Sequence, residues 1–302
     1  MPSPAPQGPL EFSRTPDPGR APRRDGLRLP DGCETPLYVY APPPGTPRRA
    51  PVVYLHGIQS HPGWFAGSAV ALAGAGHAVY QPTRRGSGEN TRDRGHADSA
   101  EQLLADLAAA CRFAMEDAAA DRVHLLGVSW GGKLAAAFAA GGAGGLELAS
   151  LTLVAPGMVP QVDVSFGTKL AVGLSLLCCP RRPFDIPLND ATLFTDNEQM
   201  RAYLRGDAHR LHQATARFLY VSRCLDRALR RAPRGAIAAA TTLVLASRDR
   251  IIDNPRTRRL VDRLTAGRAV VHELPGAHTL EFEPDPAPLL DVLRTAARDT
   301  WQ

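Results

Sequence analysis

The sequence predicts an α/β protein: a mostly parallel sheet covered by helices on both faces, with a helical insertion between its two parts. Three observations carry this expectation. Short apolar runs alternate with helically spaced segments through the first half of the chain and again at its end. From about residue 157 to 238 that rhythm stops, and strand signals become poor. Finally, Val123-His124-Leu125-Leu126-Gly127-Val128 reads as an apolar strand that passes through a G-x-S-x-G turn at Ser129 into an Ala-rich helix.

Composition agrees with one large folded unit. The chain has 302 residues, of which 44% are hydrophobic, enough for a substantial core. The net charge of +5 comes from arginines dispersed among acids. Their densest cluster, Arg227 to Arg234, contains no aromatic residue and reads as a solvated helix end and loop, so no nucleic-acid partner is expected. The five cysteines have no zinc-type spacing, and the N-terminus lacks the apolar core of a signal peptide. Reduced thiols and a cytoplasmic location are expected. The adjacent pair Cys178-Cys179 reads as two buried apolar side chains. The longest apolar run, Leu170 to Cys179, is too short to span a bilayer.

In chain order, residues 1–25 are rich in Pro and Arg without periodicity and read as a flexible tail. The first part of the core is expected over 26–156. It starts with strands at Gly26–Leu29 and Leu37–Tyr40 around an Asp31-Gly32 turn. Pro51–Leu55 is a buried-type strand leading into His56-Gly57-Ile58-Gln59-Ser60. A helix near Ser68–Ala75 and a strand at His77–Tyr80 follow, then the polar turn Arg84-Arg85-Gly86-Ser87-Gly88. Leu103, Leu104, Leu107, Cys111 and Met115 lie at helical spacing within a helix from Asp98 to about Ala118. After the Ser129 turn and its helix, Leu151–Pro156 is another buried strand. The insertion, 157–238, contains the apolar run, a Pro-rich turn at Pro180-Arg181-Arg182-Pro183, and helical patterning from Asn197 to Arg231. The second part of the core, 239–302, has strands at Thr241–Ala246 and Ala269–Leu274 and a helix near Ala287–Arg298.

A G-x-S-x-G turn between strand and helix exposes a serine hydroxyl at the helix N-terminus, where developing negative charge is favoured. A serine needs a base, and the base needs an orienting acid. In open parallel sheets such groups sit in loops after the C-terminal ends of strands. Of nine histidines, His278 in Pro275-Gly276-Ala277-His278 is the one in a loop after a late strand; His272 lies within that strand and reads as structural. Asp249 directly follows the strand ending at Ala246, with Asp253 as a rival that reads as a helix cap. The order Ser129, Asp249, His278 is the one in which this architecture presents a triad. Oxyanion donors are expected from the backbone of Trp130 and of Ile58, with Gln59 behind it. His56 and His61 lack a third ligand nearby, so no metal site is expected.

His56-Gly57, Arg85-Gly86-Ser87-Gly88, Gly127-Val128-Ser129-Trp130-Gly131-Gly132, Asp249 and Gly276-Ala277-His278 together resemble the α/β-hydrolase superfamily over roughly residues 26 to 300. The closest branch is the monoacylglycerol lipase and lysophospholipase group with its serine aminopeptidase-like hydrolases. The resemblance implies the α/β-hydrolase fold, a helical cap that shapes an acyl pocket, and no cofactor. Two positions depart from the pattern. Thr83 stands where the family often has Asp two residues before the Arg of R-G-x-G, which bears on local packing. Trp130 replaces the frequent Met or Gln, giving a turn similar to that of proline iminopeptidases, whose H-G-G-P-G loop is absent.

The expected activity is serine-dependent hydrolysis of small-molecule acyl esters, of monoacylglycerol or lysophospholipid type. The run Leu170 to Cys179 would line an acyl site or touch a lipid surface transiently, or else form plain cap core. An aminopeptidase would instead need acids in the cap to hold a free amine, and Asp185, Asp190, Asp196 and Glu198 are available. A non-catalytic binding protein of the same fold is the third reading, against which the intact Ser, Asp and His stand.

Overall fold

The computed structural model describes residues 10–13 and 20–297. The chain enters through β1 (Arg23–Arg28) and β2 (Glu34–Tyr40), antiparallel about the Asp31-Gly32 turn. There follow β3 (Arg49–Leu55), α1 (Ala66–Gly74), β4 (His77–Pro82), α2 (Ala100–Asp117), β5 (Val123–Val128), α3 (Trp130–Ala140) and β6 (Leu148–Val154). The insertion holds α4 (Phe166–Cys178), β7 (Pro183–Asp185), α5 (Glu198–Gly206), β8 (Gln213–Thr215) and α6 (Ala216–Arg231). The sheet then resumes with β9 (Thr241–Ala246), α7 (Asn254–Thr265), β10 (Val270–Leu274) and α8 (Ala287–Ala296).

Eight strands form one sheet in the order β1-β2-β4-β3-β5-β6-β9-β10. β2 is antiparallel to both its neighbours, and the pairs from β4 to β10 are parallel. Every residue of β5 and β9 is buried, as expected for strands covered on both faces. From β3 the chain crosses to β4 through α1, then returns past β3 to β5 through α2. Right-handed crossovers in opposite directions put these two helices on opposite faces. α1 packs with α8, and α2 packs with α3. The reversal between β3 and β5 opens a crevice at their carboxyl ends, where Ile58 and Ser129 follow the two strands.

The sequence reading needs correction in three places. The N-terminal segment is not all tail: β1 already pairs from Arg23, Leu10 is buried, and Ser13 donates to the Gly63 and Trp64 carbonyls, each at 3.0 Å. Residues 1–9 and 14–19 of that segment lie outside the described residues, as does Arg298 at the end of the last helix read from the sequence. The helical patterning from Asn197 to Arg231 is two helices, α5 and α6, parted by a buried turn and β8, which pairs with β7. Cys178 and Cys179 are exposed thiols at the end of α4, not core.

The break between α5 and α6 has a cause in Asp207. Its Oδ2 accepts from Trp64 Nε1 at 2.7 Å and lies 2.9 Å from His61 Nε2, while Oδ1 accepts from the His209 N–H at 2.9 Å. Both the His61 and Asp207 side chains are wholly enclosed. The chain must leave helical geometry to carry this carboxylate into the core beside the loop that follows β3. Removing it would strand three buried donors, so Asp207→Ala is expected to lower the unfolding free energy by about 2–4 kcal/mol. Urea denaturation checks this; a loss under about 1 kcal/mol would contradict a load on that carboxylate.

Candidate active site

Ser129 sits between β5 and α3 with φ 54° and ψ −123°, a conformation costly to a residue with a side chain. Hydrogen bonds hold it there: its N–H donates to Val154 O at 2.9 Å, and its carbonyl accepts from the Gly157 N–H at 2.7 Å. The turn is so tight that a Cβ on Gly127 would stand 2.6 Å from Gly131 O, and one on Gly131 would stand 2.5 Å from His56 O. Both positions therefore require glycine, which is the physical content of the G-x-S-x-G spacing.

The late loops converge on the serine. His278 Nε2 is 2.9 Å from Ser129 Oγ, and His278 Nδ1 is 2.8 Å from Asp249 Oδ2. With Nδ1–H held by the carboxylate, Nε2 is left to accept the hydroxyl proton. The other oxygen of Asp249 accepts from the Ile251 and Ile252 N–H groups at 2.8 and 3.0 Å, so the enclosed carboxylate is saturated and fixed. Asp253 does something else: it caps α7, accepting from the Arg256 N–H at 2.9 Å. Phe194, from the insertion, packs edge-on to the His278 ring with centroids 6.1 Å apart.

Ile58 and Trp130 line the same cavity as Ser129. Among the described residues neither backbone N–H donates to a protein acceptor. Gln59 ties this loop to the insertion: its carbonyl accepts from the Leu211 N–H, and its side chain holds Arg210 and Asn189. His56 donates from Nδ1 to Gly57 O at 2.9 Å and accepts the Arg84 N–H on Nε2 at 3.0 Å. Burial, and then the charge of Arg84, hold its pKa well below the usual histidine value, so it stays neutral. His61 is taken by Asp207.

A cavity of about 430 Å³ opens beside Ser129, between the sheet edge and the insertion. One side is apolar, with Val162, Val172, Leu176, Ile186, Leu219 and Ile251 among its lining. α4 presents two faces here. Val172 and Leu176 look into the cavity, while Phe166, Leu170, Leu174 and Leu177 form a stripe exposed to solvent. Plain core is thus not what this run makes. The lining also carries charge: Lys133 on α3 pairs with Asp226 on α6 at 2.7 Å and donates to Ser222 Oγ at 3.2 Å. Trp130 Nε1 donates to the same hydroxyl at 2.9 Å.

A model of the family described as serine aminopeptidase, S33 (Hydrolase_4), matches residues 46–285. The chain belongs to this family. It is an α/β-hydrolase of the branch its motifs resemble, and hence a hydrolase by family. Among solved structures, the chain is similar to a soluble variant of monoglyceride lipase from Saccharomyces cerevisiae, with TM-score 0.82 at 17% identity over 97% of this chain and 99% of that one. A monoacylglycerol lipase from Paleococcus ferrophilus gives TM-score 0.72 at 20% identity, covering 86% and 99%. A thermostable carboxyl esterase from Bacillus coagulans gives 0.73 at 14%, covering 92% and 99%. At these identities the likeness is one of fold. A comparison with curated protein sequences gives no match.

Several residues of this S33 hydrolase's site escaped the sequence reading. Lys133 and Asp226 lie 93 positions apart, and only the docking of α6 on α3 joins them. One signal did exist, since a lysine inside a helix as Ala-rich as α3 is buried and must find an acid. Phe194 and Arg84 carried no such signal. Of the two acids, His278 is joined by Asp249 alone. Asp249→Asn is therefore expected to slow fluorophosphonate labelling of Ser129 by about 10³-fold or more. Asp253→Ala should leave labelling within about threefold while costing about 1 kcal/mol of stability as a lost helix cap. The reverse ranking of labelling rates would assign the acid to Asp253.

Proposed function

We propose that this hydrolase cleaves carboxylic esters, preferring lipid-like monoesters of monoacylglycerol or lysophospholipid type, through an acyl-enzyme at Ser129. The observation that carries the reading is the hydrogen-bonded row Ser129–His278–Asp249 opening into a cavity with one apolar side. His278 takes the hydroxyl proton as Ser129 attacks the ester carbonyl, and Asp249 steadies the imidazolium. The Ile58 and Trp130 N–H groups hold the oxyanion at the N-terminus of α3. His278 returns its proton to the leaving alcohol. It then activates the water that releases the acid. The insertion acts as the cap over 157–238, and its inner apolar residues receive the acyl chain. Fold neighbours named as monoglyceride lipases and a carboxyl esterase support an ester as substrate. Free thiols at all five cysteines suit a reducing cytoplasm.

The family's description favours an aminopeptidase as the second reading. The acids that would hold a free amine face elsewhere: Asp196 pairs with Arg201 and Arg250, Glu198 with Arg205, Asp185 with Gln213, and Asp190 caps a turn. The acids that do line the cavity, Asp163 and Asp226, are outnumbered there by Lys133, Lys169 and Arg223. A surplus of positive charge disfavours an ammonium group.

Each methylene buried in the apolar side should gain about 0.8 kcal/mol, close to fourfold in specificity. On p-nitrophenyl esters, kcat/KM is expected to rise from acetate toward octanoate. Val172→Asp or Leu176→Asp should flatten that rise while acetate turnover is retained. A flat profile in the wild type, with strong cleavage of aminoacyl-anilides, would replace the ester reading by the aminopeptidase.

The outer stripe of α4 lies on the same helix whose inner face lines the cavity, which supports contact with a lipid surface during turnover. Leu170→Asp combined with Leu177→Asp should lower activity on micellar or vesicle-bound substrate several-fold and leave soluble butyrate ester turnover unchanged. Equal effects on both substrates would remove the lipid contact.

A further inference from the structure

We infer that Arg84 is a positioning residue for the oxyanion hole: one guanidinium holds both residues whose N–H groups receive the oxyanion. The inference rests on the ester-hydrolase reading above and adds to it a residue outside the triad. Arg84 lies in the turn after β4, and its side chain reaches back under the loop after β3. Nη2 donates to the Ile58 carbonyl at 2.9 Å, and Nη1 donates to the Arg85 carbonyl at 3.1 Å. The guanidinium carbon lies over the indole of Trp130, 5.0 Å from the ring centroid, and over the ring of Phe218 on α6 at 4.9 Å. Its own backbone N–H anchors His56, the first residue of the Ile58 loop. Ile58 is thus fixed through its carbonyl, and Trp130 through its ring.

The charge of this group is unusual for its setting. No carboxylate pairs with Arg84 among the described residues, in contrast to Arg85 next to it, which is clasped by Asp31 and Asp106. Its Nε is enclosed without an acceptor. Burial, and then repulsion from Arg94, lower its pKa to about 9, so at neutral pH the cation persists. A buried cation that is not neutralised costs stability. Placed behind both oxyanion residues, it adds to the positive potential that an anionic intermediate meets and a neutral ester does not. Its effect should therefore fall on the transition state more than on substrate binding.

The test compares wild type, Arg84→Met and Arg84→Lys. The readouts are kcat and KM on p-nitrophenyl butyrate, inhibition by butylboronic acid, which binds Ser129 as a tetrahedral anion, and inhibition by butyramide, a neutral ground-state analogue. Arg84→Met is expected to lower kcat and boronate affinity together by about 10- to 100-fold, with KM and butyramide inhibition within about twofold. Arg84→Lys, which keeps the charge but not the two-point hydrogen-bonded hold, should recover part of that loss. Unchanged kcat and boronate affinity in a folded variant would overturn the inference, as would a parallel loss of butyramide binding. Should Arg84→Met fail to fold, Arg84→Lys decides: a loss of about fivefold or more in kcat and boronate affinity supports the positioning role, and none refutes it. Fluorophosphonate labelling of wild-type Ser129 separates the two levels. No labelling there sinks the ester-hydrolase reading itself, whereas labelling with an indifferent Arg84 sinks this inference alone.

Discussion

The site depends on one constraint, the tight passage of the chain from β5 into α3 with Ser129 at φ 54°. This conformation projects the hydroxyl out of the sheet edge while keeping its backbone hydrogen-bonded to Val154 and Gly157. It also fixes what the neighbours must be. Gly131 lies against the backbone of Leu55 and His56, so the loop after β3 and the helix after β5 meet with no side chain between them. Ile58 and Trp130 come together as a consequence, at the crevice where the strand order reverses. Local strain on the order of 1–3 kcal/mol is offset by the surrounding sheet, in which β5 is wholly buried.

Around that fixed centre the insertion is fastened at several points. Asp207 and Gln59 bind it to the loop after β3. The Lys133–Asp226 pair and the Trp130–Ser222 hydrogen bond fasten α6 to α3. Phe194 leans on His278, and the Thr279 N–H donates to the Phe194 carbonyl at 2.8 Å. α4 is held far less: of its residues Ser175 alone is buried, and four large apolar side chains face outward. A firmly docked α6 with a loosely held α4 would suit the proposed function, in which the reacting groups stay in place while an acyl chain enters.

Much of this was legible in the sequence because it rests on local rules. Buried strands read as apolar runs, a strand–G-x-S-x-G–helix passage has one geometry, and groups after the C-terminal ends of strands gather at one edge. Those rules point to Ser129 and His278, and to Asp249 ahead of its rival Asp253, and the structure joins the first three by hydrogen bonds. The insertion was opaque for the opposite reason. Its helical periodicity says that α4 has two faces but not which one meets the cavity. The run through Asp207 kept a helical pattern although tertiary hydrogen bonds break the helix there. Arg84 and Lys133 each take their meaning from Phe218 or Asp226 on α6, a relation that no local spacing records.

The central claim is that Ser129 becomes covalently acylated during turnover, and a rapid-quench experiment with p-nitrophenyl octanoate addresses it directly. The account predicts a burst of p-nitrophenol stoichiometric with enzyme, and an octanoyl mass increment on the peptide carrying Ser129 that disappears on longer incubation. Turnover with no burst and no acylated peptide under conditions that make deacylation slow, or an acyl group on any other residue, would contradict it.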